Sequence, residues 1–375
     1  MRHVLVTNDY PPKLGGIQSY LFELWRRLPP ERFAVLTIDH PAAAAFDAAA
    51  GHRIERLRVP MLLPTPKVRE AIRRLADEIG AGLVVLDPAL PLGLVGRSLG
   101  LPYAVLLHGA EVTVPARLPG AWRVLARVLS GASLAIAAGG YPAGEARRVA
   151  RSAMPPTAVV PPGVDVGRFH PLTGDERVAA RRRFGLPAEG RLVVSVSRLV
   201  PRKGMDVLIE AAAGLAPERP DLTVAIGGSG RDAKRLEALV RRVGAPVRLL
   251  GRVPDDELPQ LYGAADVHAM LCRNRWLGLE QEGFGIVFLE AAASGVAQVA
   301  GRSGGADEAV LDGETGLVVD RPGDVVVASA ALAALHDDEA LRRRFGGAAR
   351  RRAEAEFSYD LLARRLADAL GAAGG

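Results

Sequence analysis

A single cysteine, Cys272, stands among the 375 residues, which excludes an intrachain disulfide framework and fits a reducing compartment. No apolar run reaches the roughly 20 residues that a helix needs to cross a bilayer. The N-terminus lacks the basic-then-apolar order of a signal peptide and enters the strand-like Val4-Leu5-Val6 at once, so a cytoplasmic location is expected. Cysteine and histidine form no cluster with ligand spacing, and no bound metal is expected. The dinucleotide pattern G-x-G-x-x-G and the Gly-Lys-Ser/Thr phosphate loop are both missing. Their absence argues against nicotinamide or flavin enzymes and against kinases. Basic stripes interleaved with aromatics are missing too, which makes nucleic acid a weak partner.

What is present points to a globular enzyme of two domains. The length exceeds one comfortable core, and 49% hydrophobic with 24% charged residues is ordinary for a folded protein. The net charge of +6 is uneven: residues 1–170 hold 20 Lys+Arg against 13 Asp+Glu, whereas residues 171–375 hold 28 against 29. An electropositive first half favours an anionic partner or a lipid surface, although a charge excess is commonly just solvated.

Apolar strand-like runs alternate with helical patterns, the signature of parallel α/β architecture. Strands are expected at residues 4–7, 33–38, 53–59, 83–86, 104–107, 134–137 and 157–160. Helices are expected near 17–28, 67–79, 92–99, 121–129 and 143–149. After Pro161-Pro162-Gly163 the pattern restarts, with strands at 192–197, 222–227, 247–250, 267–271, 297–300 and 317–319. Its helices fall near 205–216, 233–243, 257–264, 286–294, 325–335 and 339–356. The boundaries read 1–165 for an N-terminal Rossmann-like domain, 166–356 for a second, and 357–375 for a last amphipathic helix. Sites in such sheets lie at strand C-termini, and a cleft between two facing domains is the expected place for one here.

The most informative run is Glu282-Gly283-Phe284-Gly285-Ile286-Val287-Phe288-Leu289-Glu290. Its glycines oppose a continuous helix, so Glu282 is placed in a loop and Glu290 on the second turn of a helix starting near Gly285. Unpaired N–H groups at that start suit a diphosphate, and flanking carboxylates can take hydroxyls of a sugar and a ribose. Ser197-Arg198-Leu199-Val200-Pro201-Arg202-Lys203-Gly204 follows a strand. Arg198 and Lys203 can converge there on one anion and neutralise a departing diphosphate, or stand as solvated surface cations; Arg202 is expected to face solvent. Asn8 to Gln18, with Gly15-Gly16 opening a helix, lets backbone N–H groups approach a phosphate, unless its glycines serve only the turn. His108, after Val105-Leu106-Leu107, can bond a sugar hydroxyl or polarise a reacting centre, although lone histidines are more often structural. Gly227-Gly228-Ser229-Gly230 is a further strand-end loop, weak by itself. Gly251-Arg252-Val253-Pro254 could read a base edge, and Ser303-Gly304-Gly305-Ala306 could form another anion cradle. Cys272 is not expected to be a catalytic thiol.

Taken in order, Gly15-Gly16, His108-Gly109, Pro162-Gly163-Val164-Asp165, Ser197-Arg198-Leu199 with Lys203-Gly204, and Glu282 with Glu290 resemble retaining glycosyltransferases of the GT-B fold. That large group includes glycogen and sucrose synthases. Thr7-Asn8-Asp9-Tyr10-Pro11-Pro12, Gly15-Gly16-Ile17-Gln18-Ser19 and Cys272-Arg273 through Glu290 look like the actinobacterial phosphatidylinositol mannosyltransferases, in particular those adding a second mannose. The resemblance implies two Rossmann-like domains facing across a deep cleft, with the C-terminal helix returning to the first. It implies catalytic roles for His108, Arg198, Lys203 and Glu282. Donor binding would fall to Gly16, Arg198, Lys203, Val253, Glu282, Phe284, Gly285, Ile286 and Glu290. Arg198 and Lys203 would hold the diphosphate, Gly16 would meet phosphate through its backbone, and Val253 would meet guanine through main-chain atoms. Glu290 would bind ribose and Glu282 the transferred sugar, so the glutamates are not a glycosidase pair. The implied reaction is retaining and independent of metal and cofactor, with front-face attack assisted by the departing phosphate. The donor would be GDP-mannose and the acceptor an anionic glycolipid, a phosphatidylinositol mannoside at the inner face of the plasma membrane.

Ala110, Ala297 and Asp307 depart from the family pattern, and Asp307 would either weaken phosphate affinity or be silent. Tyr10 and Gln18 are candidate acceptor contacts. The loop Val59-Pro60-Met61-Leu62-Leu63-Pro64-Thr65-Pro66, leading to Lys67, Arg69, Arg73 and Arg74, suits shallow docking onto anionic lipid, or else packs on the core beneath a solvated basic face. Rival readings are a transferase for another nucleotide sugar or a soluble acceptor, a sugar-nucleotide epimerase, a nucleotide-sugar sensor without turnover and, last, an NAD-dependent dehydrogenase.

Overall fold

Parallel strands covered on both faces read as near-continuous apolar runs, and most central strands in both halves of the chain follow that pattern. The computed structural model describes residues 1–118 and 120–373. It divides into two compact units, Met1–Pro162 together with the segment that starts at Tyr359, and Gly163–Ser358.

The first unit holds β1 (His3–Thr7), β2 (Phe33–Ile38), β3 (Arg53–Leu57), β4 (Leu83–Asp87), β5 (Tyr103–Leu107), β6 (Leu134–Ala137) and β7 (Thr157–Val159), in the order β3-β2-β1-β4-β5-β6-β7. All neighbours pair in parallel. The central β1, β4 and β5 are buried at every position. Edge strand β3 is partly exposed and carries Arg53, Glu55 and Arg56, charges that discourage pairing with another chain. Chain order reverses between β1 and β4, so the loops after these two strands diverge and leave a crevice at their C-terminal ends. The helix Tyr359–Ala372 belongs to this unit. Arg27 Nε donates to Asp360 at 2.7 Å, and the Arg27 guanidinium lies 5.3 Å over the Tyr359 ring.

The second unit repeats the scheme with β8 (Arg191–Val196), β9 (Leu222–Gly227), β10 (Val247–Gly251), β11 (Val267–Met270), β12 (Ala297–Gly301) and β13 (Gly316–Val319), ordered β10-β9-β8-β11-β12-β13. Its reversal falls between β8 and β11, which places the loops carrying Arg198, Lys203 and Glu282 on either side of that switch point. The units divide a few residues from the expected positions. Val164 takes a backbone bond from its N–H to Phe357 at 2.8 Å and bridges to Ser358, which ties Gly163–Asp165 and Phe357–Ser358 to the second unit.

Helices missing from the sequence reading are Ala43–Ala49, Ala110–Arg117 and Gly174–Arg183. The third has the sequence GDERVAARRR, with no apolar stripe to reveal it. Its start is nonetheless encoded by a capping box, Thr173 accepting from Glu176 N–H while Glu176 accepts from Thr173 N–H. Residues 92–98 form a 3-10 helix instead of the expected α-helix.

Candidate functional site

In the second unit, β8 ends in a loop whose arginine and lysine go separate ways. Arg198 is exposed, and no carboxylate pairs with it among the described residues. Lys203 is only 7% exposed, and its Nζ donates to Glu282 Oε2 at 2.7 Å. Gly204, next in the chain, has φ +69°, and a Cβ there would lie 2.0 Å from the Leu271 carbonyl. Only glycine lets the lysine loop close so tightly onto the end of β11.

Glu282 is buried to the same degree and sits at the centre of a cage. Beside Lys203, the Cys272 thiol donates to Oε2 at 3.3 Å and the Arg202 guanidinium lies 3.7 Å away. Burial acts to raise its pKa, but the charges of Lys203 and Arg202 outweigh it and hold the carboxylate below its usual range. Glu282 N–H donates to Ser303 Oγ at 3.1 Å, and Ser303 in turn donates to Asn274 at 2.7 Å. Arg202 is therefore part of this cage, not a solvent-facing cation. Its Nη1 also donates to the Gln281 carbonyl at 3.3 Å. Ser303-Gly304-Gly305 likewise serves Glu282 rather than forming an anion cradle. Gly305 N–H donates to the Glu282 carbonyl at 3.1 Å, and a Cβ on Gly304 would come within 2.0 Å of that same oxygen. Asp307 pairs with Arg302, so its negative charge is met locally. Cys272 is buried with its thiol pushed up, first by burial and then by Glu282, which makes it a hydrogen-bond donor and a poor nucleophile.

Gly285, in left-handed conformation, starts the helix Ile286–Ala293, which has no acidic residue in its first turn and no side-chain cap. Its first N–H groups stay available, as an anion requires. The Phe284 side chain is a correction to the donor-binding set: it is buried with its ring edge-on to Phe357 at 5.6 Å, leaving only its backbone to offer. Glu290 lies on the second turn and is partly buried. Burial pushes it up to about 7, with the Tyr262 hydroxyl and Arg168 acting against the rise and Asp255 adding to it. The two glutamates are thus held in opposite states, one fixed as an anion and one titrating near neutrality, which is how paired carboxyls acquire different tasks. Val253 packs beside Gly227 with its backbone N–H and C=O unbonded among the described residues.

In the first unit, Gly16 opens the helix Gly16–Trp25, which also lacks a side-chain cap and first-turn acids. Gln18 is buried and bonds Asp9 at 2.6 Å, and Lys13 bonds the same carboxylate at 2.6 Å. Gln18 therefore shapes the loop. Tyr10 is a correction to the acceptor contacts: at 2% exposure its hydroxyl meets His52 Nε2 at 2.8 Å, and its ring packs edge-on to Phe22 and Phe46. It belongs to an aromatic core beneath the loop.

His108 directly follows β5 and is 10% exposed, its Nε2 bonded to Asp87 Oδ1 at 2.6 Å. Asp87 is fully buried and takes a second bond from Thr7 Oγ1 at 2.6 Å. Burial lowers the histidine's pKa, but Asp87, then Glu111 and Asp9, outweigh it and raise it to about 9. His108 is accordingly a cation at neutral pH, positioned from below by Asp87 and from the side by the Tyr20 ring, 5.7 Å away and edge-on. Sequence reasoning passed over Asp87. The available signal was a carboxylate ending an otherwise apolar strand, directly at the switch point. Among the described residues no group of three or more His, Cys, Asp or Glu could hold a metal, and no helix is long and apolar enough to cross a membrane.

Comparison with known proteins shows the family and the fold. Residues 176–352 match the family model "Glycosyl transferases group 1". The chain is 40% identical, over 98% of its length and 98% of the relative's, to the GDP-mannose-dependent alpha-(1-6)-phosphatidylinositol monomannoside mannosyltransferase of Mycobacterium tuberculosis. It is 36% identical, over 98% and 97%, to the GDP-mannose-dependent monoacylated alpha-(1-6)-phosphatidylinositol monomannoside mannosyltransferase of Corynebacterium glutamicum. Among solved structures, Anabaena HepE in complex with UDP superposes with TM-score 0.84 at 22% identity, covering 99% of this chain and 100% of that one. Sucrose-phosphate synthase from Thermosynechococcus elongatus gives 0.79 at 23%, covering 98% of each chain. Two parallel α/β units of seven and six strands are the GT-B architecture of these neighbours, and the chain belongs to the group 1 glycosyl transferases.

Proposed function

We propose that this chain transfers a mannosyl unit from GDP-mannose to a phosphatidylinositol mannoside, with retention at the anomeric carbon. The observation that carries the chemistry is the Lys203–Glu282 pair on the loop that also carries exposed Arg198, which has no carboxylate partner among the described residues, at the end of the strand where a diphosphate would meet a helix start. The relatives named above support the donor and the acceptor. In this reading the acceptor hydroxyl bonds to the sugar's C1 as the bond from C1 to the diphosphate oxygen breaks. The acceptor's proton goes to that oxygen. Arg198 supplies a fork and Lys203 a point charge for the leaving group, so metal is not required. Glu282, held anionic, accepts from the sugar's hydroxyls. Glu290 takes the ribose, and Val253 offers its backbone to the guanine edge. The Gly283–Ile286 backbone completes the donor site. Within the first unit, the Gly16 helix start is suited to a phosphate and cationic His108 to a sugar hydroxyl. A panel of nucleotide sugars offered with membrane lipid extract, followed by mass spectrometry, tests the assignment. A hexose added from GDP-mannose to the mannoside lipid is expected. Transfer only from another nucleotide sugar, or a rearranged sugar nucleotide without acceptor, would replace it.

In this reading the enzyme works in the cytoplasm, at the inner face of the membrane. Asn8 clamps the loop before Pro66 by accepting from Leu62 N–H at 2.7 Å and donating to its carbonyl at 3.1 Å. Leu62 is thereby buried while Met61 and Leu63 are turned outward, as are Leu14 and, in the first turn of the helix Gly16–Trp25, Ile17. Of the four basic residues on the following helix, Lys67 and Arg69 have no hydrogen-bond or ion-pair partner among the described residues. Arg73 bonds the carbonyls of Leu99 and Ser98, and Arg74 pairs with Glu55 and Glu78. Activity on vesicles should therefore rise with anionic lipid content and fall roughly thirtyfold in Lys67→Gln/Arg69→Gln, each charge near the surface being worth about 1 kcal/mol. Sedimentation of the protein with vesicles reads the same loss, and unchanged sedimentation would remove the docking claim.

A further inference from the structure

The side-chain partners of Glu282 all gather on one oxygen. Lys203 Nζ at 2.7 Å, the Cys272 thiol at 3.3 Å and Arg202 Nη1 at 3.7 Å reach Oε2, while Oε1 carries no hydrogen bond among the described residues. Of these three partners, Lys203 has a second task, since the diphosphate draws on the same ammonium. A thiol is only a weak donor. Arg202 is the remaining full charge, and the reaction described above gives it no role. It also spans the base of the loop from which Glu282 emerges. On the incoming limb its carbonyl accepts from Arg273 N–H at 2.9 Å. On the outgoing limb its Nη1 donates to the Gln281 carbonyl at 3.3 Å and its Nε lies 3.9 Å from Glu280 Oε1. The limbs are joined to each other as well: Arg275 and Glu280 exchange backbone bonds of 2.9 and 3.2 Å and pair through their side chains at 3.0 Å. A planar fork of five N–H donors suits acceptors on three consecutive residues, which the point charge of a lysine cannot reach together.

We infer that Arg202 is a positioning residue for the transferred sugar. It ties both limbs of loop 273–281 and keeps Oε2 of Glu282 engaged while Lys203 is shared with the diphosphate, so that Oε1 stays presented to a sugar hydroxyl. This role rests on the assignment of Glu282 to that sugar, and it is selective. The Arg202 guanidinium is spent on residues 280–282 and its side chain is only 14% exposed, so it has little left for a phosphate. GDP, which lacks the sugar, should therefore be nearly indifferent to Arg202, in contrast to its dependence on the exposed Arg198.

The test is calorimetric titration of GDP and of GDP-mannose, without acceptor, into the parent, Arg202→Met, Arg202→Lys and Glu282→Gln. The quantity read is the ratio of the two affinities. Arg202→Met should weaken GDP-mannose binding about tenfold, the scale of a lost hydrogen bond to a charged group, with GDP affinity within about twofold of the parent. Arg202→Lys restores the charge without the fork and should recover part of that loss. Adding Arg202→Met to Glu282→Gln should change the ratio no further. A ratio untouched by Glu282→Gln sinks the assignment of Glu282 to the sugar itself. A ratio lowered by Glu282→Gln but parent-like in Arg202→Met, or GDP and GDP-mannose weakened alike in Arg202→Met, sinks only the positioning role. Should Arg202→Met fail to fold, Arg202→Lys decides. Its ratio should be about threefold below the parent's, and a parent-like ratio overturns the inference.

Discussion

Lys203→Ala is expected to cost about 2–4 kcal/mol of folding stability and about 10²–10³ in turnover. The two losses have separate origins. The first arises because Glu282 keeps its charge in a nearly sealed site, with only Arg202 at 3.7 Å left to offset it. The second arises because the leaving diphosphate loses a cation. The double variant Lys203→Met/Glu282→Gln separates them. Two uncharged side chains of similar size should regain most of the stability, since removing both members of a buried pair leaves no unpaired charge, while turnover stays low. Denaturant melts read the first quantity and initial rates with saturating donor the second. If Lys203→Ala unfolds at the parent's denaturant concentration, Glu282 is not the buried anion described here.

Asp87→Asn has the next largest expected effect, and it depends on pH. His108 is raised from 6.5 to about 9. The stability it gains from Asp87 is therefore complete below pH 6.5 and is lost as pH climbs through about 9. The variant should be less stable than the parent by about 2–3 kcal/mol at pH 6, with the gap closing by pH 10. Without the aspartate, burial lowers His108 toward or below its ordinary value, and the cation is gone at neutrality. The alkaline limb of the activity profile should accordingly move from near 9 to below 7, with about a 10²-fold loss at pH 7.5. Proton NMR of the imidazole follows the titration directly. A His108 midpoint unmoved by the substitution would contradict the pairing.

The strands were legible because a parallel sheet buried on both faces leaves a long apolar run, and every expected strand is found within a residue or two. The helix Gly174–Arg183 was not legible from periodicity, because its arginines meet Asp266 and backbone carbonyls instead of an apolar core. Residue type and strand-end position singled out Lys203 and Glu282, but not that they would bond one another. That contact joins positions 79 apart in the chain and depends on the close packing of Gly204 and Gly304. Asp87 escaped because its importance lies in what it does to His108, 21 residues away. Tyr10, Arg73 and Arg74 misled for one shared reason. Each has the chemistry of a surface contact, and each spends it on a partner that only the tertiary fold supplies.

Arg198→Ala probes the donor site most cleanly, because the exposed guanidinium leaves no carboxylate partner behind among the described residues and its removal should alter stability by no more than about 0.5 kcal/mol. Calorimetric titration of GDP into this variant should show binding weakened about ten- to hundredfold, the scale of a lost charged hydrogen bond, with an unchanged melting curve. Parent-like affinity for GDP in Arg198→Ala would contradict the account of how this chain holds its activated sugar.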